Sequence, residues 1–480
     1  MRPPPSATRD RWTWVVALGL LLFAFVVHHA RRDFIRSFFV DGPGGPPPAL
    51  GDATGAGVDA VARLRVVLVD GLGLEHARAL PNLERLCRQG LDLQVDVGFP
   101  TVSLPVQHVL WTGLTQQQSG VLYRIAPLST PPEGSLARRT PDSVAVAESH
   151  PEIVHSFGFQ SAWPTVERFA SDEQAWRSEG FTGAATEAVT GAARLVFVHV
   201  LRVDEAGHAA GAASPAYAEA ATWADHLLDA LVRADLDRDA RWVVLSDHGH
   251  RTGGGHGGAE PTIRIVRACV FGNVPADVPR TGSLHLVDLH RLMADSLGLH
   301  GDPQGAGRPF ADAVADPRPH ATLPRPSRWR WGLAIVWVLG GVVATAWAAR
   351  GQRARLPWWL GVAYLGVVTL GGEATLSNPM IYPPLGKDVL LAGSPGLLVL
   401  AWTDLRAYDD ERWPRRVVGH LGLALGFCFA ALSLCGGEGP PLMPIWTAQA
   451  SVLLLLLKSS AAITAALVLG RWCVRVSSRS

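Results

Sequence analysis

The sequence predicts an α/β domain, a parallel sheet sandwiched by helices, joined to an α-helical transmembrane domain. Three observations carry this. Between residues 60 and 312, apolar β-rich runs alternate with amphipathic helical patterns, the order that builds parallel strands linked by crossover helices. Three of the strand-like runs close on an aspartate, at Asp70, Asp204 and Asp247, and sites in such sheets gather beyond the carboxyl ends of the strands. Outside this region, residues 12–27 and most of 331–470 are long runs nearly free of charge.

Taken in order, WTWVVALGLLLFAFVV (12–27) is followed by HHARR without a small-residue cleavage pattern. It reads as an uncleaved anchor within 1–30 rather than a removed signal peptide. A Pro/Gly-rich linker (31–59) leads to the soluble domain (60–314). There LRVVLVD (64–70), ARLVFVHVLRVD (193–204) and RWVVLSD (241–247) read as buried strands. PNLERLCRQG (81–90) and PAYAEAATWADHLLDALVRA (215–234) read as helices. A second linker (315–330) precedes a multi-span region (331–472) and a short tail (473–480).

A membrane-crossing helix needs roughly 20 apolar residues. Runs at 331–349, 356–372, 389–402, 417–437 and 448–470 are candidates, and 389–402, short and containing GSPG, either spans or re-enters. With a cytoplasmic N-terminus, the arginines at 350–355, 403–416 and 471–479 all fall inside, as the positive-inside rule asks. The expected protein is an integral membrane protein whose large soluble domain is extracytoplasmic, on the periplasmic side of a bacterial inner membrane. The net charge of +1 argues against a nucleic-acid partner. Of the five cysteines none forms a CxxC pair, and Cys87 and Cys269 read as small buried side chains, a disulfide between them being an open alternative.

FPTVSLPVQHVLWTG (99–113) places Thr101 and Ser103 between a strand and a helix with no Lys, Arg, Asp or Glu beside them. Either a helix-capping role or a nucleophilic one fits that position. A hydroxyl nucleophile needs a base or a metal ion to activate it. The sequence offers the second: Asp204 is followed by His208, Asp247 by His248, and GGGHGG adds His256. Carboxylate and imidazole suit Zn²⁺ or Mn²⁺, and a divalent ion lowers the pKa of a hydroxyl it holds.

In this order VVLVDGLG, FPTVSLPVQHVLWTG, VDEAGH and SDHGHRTGGGHGG resemble the metal motifs of the alkaline phosphatase superfamily, closest to its type I phosphodiesterase/nucleotide pyrophosphatase branch. The resemblance implies an alkaline-phosphatase-like fold and two Zn²⁺, with Mn²⁺ the alternative. It also implies that Asp70, Ser103, Asp247 and His248 hold one metal, and Asp204, His208 and His256 the other. Ser103 matches the nucleophile and Thr101 is the runner-up. Arg124 falls near the position of a phosphoryl-contacting Asn, where an Arg could pair with phosphate or stand in an exposed loop. His250 replaces a common Met and is expected either beside the ligands or facing solvent. The membrane layout resembles that of ethanolamine phosphate transferases acting on glycolipid anchors, which implies a phospholipid or lipid-linked substrate. Two other readings stand beside this one. A sulfatase would require Arg where Gln107 stands, and a non-catalytic binding module would not need every ligand position filled.

Overall fold

The computed structural model describes residues 58–121, 127–165, 173–235, 239–258, 261–275, 278–299 and 305–316, with isolated positions within 14–29, 332–343 and 462–469. The chain divides into two compact units, one of Phe38–Thr322 and one formed by Met1–Ser37 with Leu323–Ser480.

The Phe38–Thr322 unit is built on one sheet. Its strands are β1 (Leu64–Val69), β2 (Leu91–Asp96), β3 (Ser143–Ala147), β4 (Ser161–Trp163), β5 (Leu195–Val200), β6 (Arg241–Leu245), β7 (Ile265–Gly272) and β8 (Thr281–His285), in the order β4-β3-β5-β1-β6-β7-β2-β8. The expected parallel sheet is in fact mixed, because β7 runs antiparallel to both β6 and β2 while the other pairs are parallel. The reason lies in the connection. Parallel neighbours need a crossover, usually a helix. Between β6 and β7 the described residues form a glycine-rich loop and one short helix, Pro261–Arg264, so the chain turns back alongside β6.

β1 is central, with β5 on one side and β6 on the other. Every residue of it is buried, because successive side chains enter cores on opposite faces of the sheet. Leu64, Val66 and Leu68 join Leu104, Leu110 and Trp111 of the Ser103–Thr112 helix and Leu289 and Leu292 of the Leu286–Ser296 helix. Val67 and Val69 join Leu83 and Leu86 of the Pro81–Gln89 helix, Phe181 of the Glu173–Thr190 helix and Leu228 and Leu231 of the Pro215–Ala234 helix.

Three local outcomes differ from, or decide between, the sequence expectations. The run 193–204 is not one strand: β5 stops at Val200 and a helix begins at Arg202. The backbone N–H groups of Leu201 and Arg202 donate to the buried Glu148 carboxylate at 2.9 and 3.0 Å, satisfying donors that a helix start leaves free. Cys87 and Cys269 are joined in a disulfide, not simply buried, with Cα atoms 5.0 Å apart across 182 residues of sequence. It ties the Pro81–Gln89 helix to β7. Thr101 and Ser103 do not cap their helix: its N-cap is Val102, with no side-chain cap.

In the other unit, Ala17, Leu20 and Ala24 pack with Ala465, and Phe23, Ala462 and Leu469 lie against them. Among the described residues no helix is long and apolar enough to cross a membrane. The runs 356–372, 389–402 and 417–437, half of the expected spans, lie outside the described residues.

The stretch that leads from β2 to Thr101 and Ser103 is anchored by a buried ion pair. Arg264 Nε and Nη2 donate to Asp96 Oδ1 and Oδ2 at 2.5 and 2.8 Å, and Gly98 N donates to Oδ1 at 2.9 Å. Burial alone would raise the Asp96 carboxyl, but the hydrogen bonds and charge of Arg264 hold it below the ordinary value. A depressed folded-state pKa gives stability that is fully present above the unfolded value of about 3.9 and fades as pH falls through the folded value. Arg264→Met should therefore cost about 3–5 kcal/mol at neutral pH, the penalty of stranding a buried charge. In urea melts across pH, that deficit should shrink in the acid range.

Candidate metal centre

The site forms at the carboxyl edge of β1, β5 and β6. Asp70 follows β1 directly, Asp247 lies two residues past β6, and Asp204 sits in the first turn of the Arg202–Ala210 helix, with His208 one turn later. The loop after β6 supplies His248, His250 and His256, with Gly254, Gly255 and Gly257 in the left-handed region that suits glycine.

Close backbone approach makes this convergence possible. Gly71 has φ +76°, and a Cβ there would lie 2.8 Å from Asp204 Cα. Its turn is held from three sides. Gly71 N donates to Asp247 Oδ1 at 3.1 Å and Leu72 N to Ser246 Oγ at 2.9 Å. The Tyr217 hydroxyl accepts from Gly73 N at 2.9 Å and donates to the Gly71 carbonyl at 2.5 Å. Gly207 has a similar duty, since a Cβ there would fall 2.4 Å from His250 Cδ2.

The seven positions that the resemblance picks out as ligands come together. Donor atoms of Asp70, Asp247 and His248 lie within 4.8 Å of one another, as do those of Asp204, His208 and His256. Ser103 Oγ is 3.4 Å from Asp70 Oδ1 and 3.2 Å from His248 Nε2. The Thr101 hydroxyl is instead engaged with the glycine loop, donating to the Gly258 carbonyl at 2.8 Å and accepting from Gly257 N at 2.9 Å. Arg124 lies outside the described residues. His250 is not solvent-facing: it is 4% exposed, and its Nε2 is 2.8 Å from Asp204 Oδ1. Together with His248 and Asp204 it makes a third group of converging donors. Gln107 is fully buried and turns an uncharged amide toward His199, 3.3 Å from its Nε2.

Several partners were not picked out from the sequence. Tyr217 and Ser246 support the Gly71 turn, Glu148 caps the Asp204 helix, and His199 bonds Asp70 at 2.8 Å. His199 alone left a signal, a polar residue inside the apolar run LVFVHV.

The electrostatics fit divalent cations. Burial, then the negative charges of Asp247 and Asp204, push the Asp70 carboxyl well above its ordinary value. Burial and Asp204 push Asp247 to about 6. Burial drives His248 down to about 3 and lowers His256 and His208. For Asp204 burial works upward, but the His250 hydrogen bond and the charges of His256, His208 and His250 outweigh it, and its carboxyl is lowered. Clustered buried carboxylates beside imidazoles kept neutral lack positive charge, and a metal ion supplies it. The tautomers agree. His256 Nδ1 donates to the Thr101 carbonyl at 2.7 Å and His248 Nδ1 to the Gly249 carbonyl at 3.2 Å. In each neutral ring this leaves Nε2 as a lone pair toward the centre. His208 Nε2 and His256 Nε2 lie 3.0 Å apart, close enough to share one ion.

Residues 134–257 match the family described as type I phosphodiesterase / nucleotide pyrophosphatase. That stretch holds Asp204, His208, Asp247, His248 and His256, and the resemblance of the flanking motifs adds Asp70 and Ser103. The match over residues 134–257, with the converging donors, thus marks a metal-dependent enzyme domain similar to the phosphodiesterase branch of the alkaline phosphatase superfamily. No curated protein sequence matches the chain. Solved structures similar to it include the murine ectonucleotide pyrophosphatase/phosphodiesterase 5, at 16% identity and TM-score 0.39 over 49% of this chain and 95% of that one. The human ectonucleotide pyrophosphatase/phosphodiesterase 5 has 14% identity and TM-score 0.41 over 53% and 100% of the two chains. An alkaline phosphatase superfamily protein from Vibrio parahaemolyticus has 14% identity and TM-score 0.38 over 61% and 79%.

The Gly71 turn gives a test of the packing. Gly71→Ala should cost about 1–3 kcal/mol through the strained φ alone. By pushing Asp204 away it should also lower the divalent metal retained per chain after dialysis, read by elemental analysis beside a thermal melt.

Proposed function

We propose that the protein is a membrane-bound two-metal phosphodiesterase or phospho-group transferase that acts on a lipid or lipid-linked substrate through a phospho-Ser103 intermediate. The observation that carries the reading is the Ser103 hydroxyl, 3.2 Å from His248 Nε2 and 3.4 Å from Asp70 Oδ1 at the start of a ten-residue helix. Asp70, Asp247 and His248, with Ser103, would hold one Zn²⁺, and Asp204, His208 and His256 the other, Mn²⁺ being the alternative. When bound, such ions lower the pKa of a hydroxyl and offset charge on phosphoryl oxygens.

The remaining work belongs to the chain. Ser103 Oγ attacks phosphorus as the bond to the leaving alcohol breaks, and the proton lost by Ser103 ends on that alcohol. Water, or an acceptor alcohol in a transferase, then displaces Ser103 and returns a proton to it. The N-terminal end of the Ser103–Thr112 helix directs its dipole at the phosphate. Thr101 holds the His256 loop through its backbone carbonyl and its hydroxyl, and is less suited to attack. Arg124 is proposed as a phosphate contact.

The membrane part of the reading rests on the apolar runs and the arginine pattern of the sequence. It gains support from exposed apolar side chains, among them Leu18, Leu22, Phe25, Ile335, Val336 and Val343, the kind of surface that lipid covers. The Cys87–Cys269 disulfide suits an oxidising, extracytoplasmic compartment. Substrates anchored in the membrane would explain why a catalytic domain is tethered to it.

Purified full-length protein reconstituted with zinc should contain two Zn²⁺ per chain by elemental analysis, and less than one would overturn the two-metal reading. Ser103→Ala should lower hydrolysis of a soluble aryl phosphodiester by at least about 10³-fold while keeping most of the zinc. Thr101→Ala should be milder, and a reversed pair of results would move the nucleophile to Thr101. Incubation with labelled phospholipids, with and without acceptor alcohols, separates transfer from hydrolysis.

A further inference from the structure

His199 stands in the fifth position of β5, paired in register with Leu68 of β1. All six residues of that strand are buried, and the other five are apolar. An aliphatic side chain would fill this place at no polar cost, whereas a fully buried imidazole needs partners for its two nitrogens. His199 has a partner for only one. Its Nδ1 is buried without a hydrogen bond, while its Nε2 lies 2.8 Å from Asp70 Oδ2. A histidine serving only the core would satisfy both ends; this one is committed to Asp70.

We infer that His199 is a positioning residue that fixes the Asp70 carboxylate in its metal-binding orientation and couples it to the helix that carries Ser103. This rests on the reading of Asp70 as a metal ligand. The two oxygens of Asp70 have separate surroundings. Oδ2 accepts from His199, and Oδ1 faces the centre, 3.4 Å from Ser103 Oγ and 3.4 Å from His248 Nε2. With Oδ2 held, the carboxylate presents one oxygen to an ion in a fixed direction. The ring of His199 is held in turn. It stacks on Phe197 with centroids 5.9 Å apart and planes 15° from parallel, and Phe197 packs edge-on against Trp111 of the Ser103–Thr112 helix. The Gln107 amide, one helical turn past Ser103, lies 3.3 Å from His199 Nε2. The strand, the carboxylate and the nucleophile's helix therefore meet at one imidazole.

The test is zinc affinity, measured on the full-length protein by competition with a chromogenic chelator. Against wild type, His199→Leu should weaken one of two zinc sites about 10–100-fold, the usual effect of losing a ligand's supporting hydrogen bond, and His199→Gln, whose amide N–H replaces Nε2–H, should recover most of it. In an Asp70→Asn background, His199→Leu should cause no further loss. His199→Asn, too short to reach Asp70, asks the same question if the leucine variant does not fold. Unchanged zinc affinity in the leucine or asparagine variant, with wild type binding two ions, would overturn the role of His199 and leave the metal reading standing. Equal weakening by Leu and Gln would overturn it as well, and a wild type that binds no zinc would overturn both.

Discussion

Three carboxylates, Asp70, Asp204 and Asp247, are buried at one edge of the sheet. Like charges so placed repel one another in a medium that screens poorly, and the neighbouring imidazoles are themselves pushed toward neutrality by burial. Much of the surrounding structure serves to hold this arrangement. The glycines at 71 and 207 let backbones approach, Tyr217 and Ser246 fix the turn after β1, and Glu148 starts the helix that carries Asp204 and His208. An arrangement that disfavours itself without cations is one that would bind them tightly.

The positions that converge were legible in the sequence because strand ends are legible: an apolar run that stops at an Asp marks both a strand and its edge. Asp70 and Asp247 meet that description. Asp204 does so only loosely, since β5 ends earlier and the aspartate belongs to a helix whose start depends on Glu148, 54 positions away in sequence. Local pattern carries no trace of such a cap. The direction of β7 was hidden for a related reason, because its residues suit either direction and the short connection from β6 decides. The disulfide follows from strand order: Cys87 and Cys269 become neighbours only once β2 and β7 pair.

Support for the site comes from both faces of the sheet. Gln107 and His199 reach it from the side that packs the Ser103–Thr112 helix, and Tyr217 from the side that packs the Pro215–Ala234 helix. A substitution in either core can therefore be felt at the centre without touching one of the converging side chains. Asp96 and Arg264 extend this to a third direction, since they fix the chain just ahead of Thr101 and Ser103.

The central place of β1 has a consequence for how the protein is made. Its two neighbours, β5 and β6, begin at Leu195 and Arg241, so β1 leaves the ribosome well before either of the strands that flank it. At about 5–20 residues per second, the Leu64–Val69 segment waits on the order of ten seconds or more as an unpaired apolar strand. Over that interval the nascent chain exposes the stretch that later forms the middle of its sheet, and holding it apart from other chains becomes a task for chaperones.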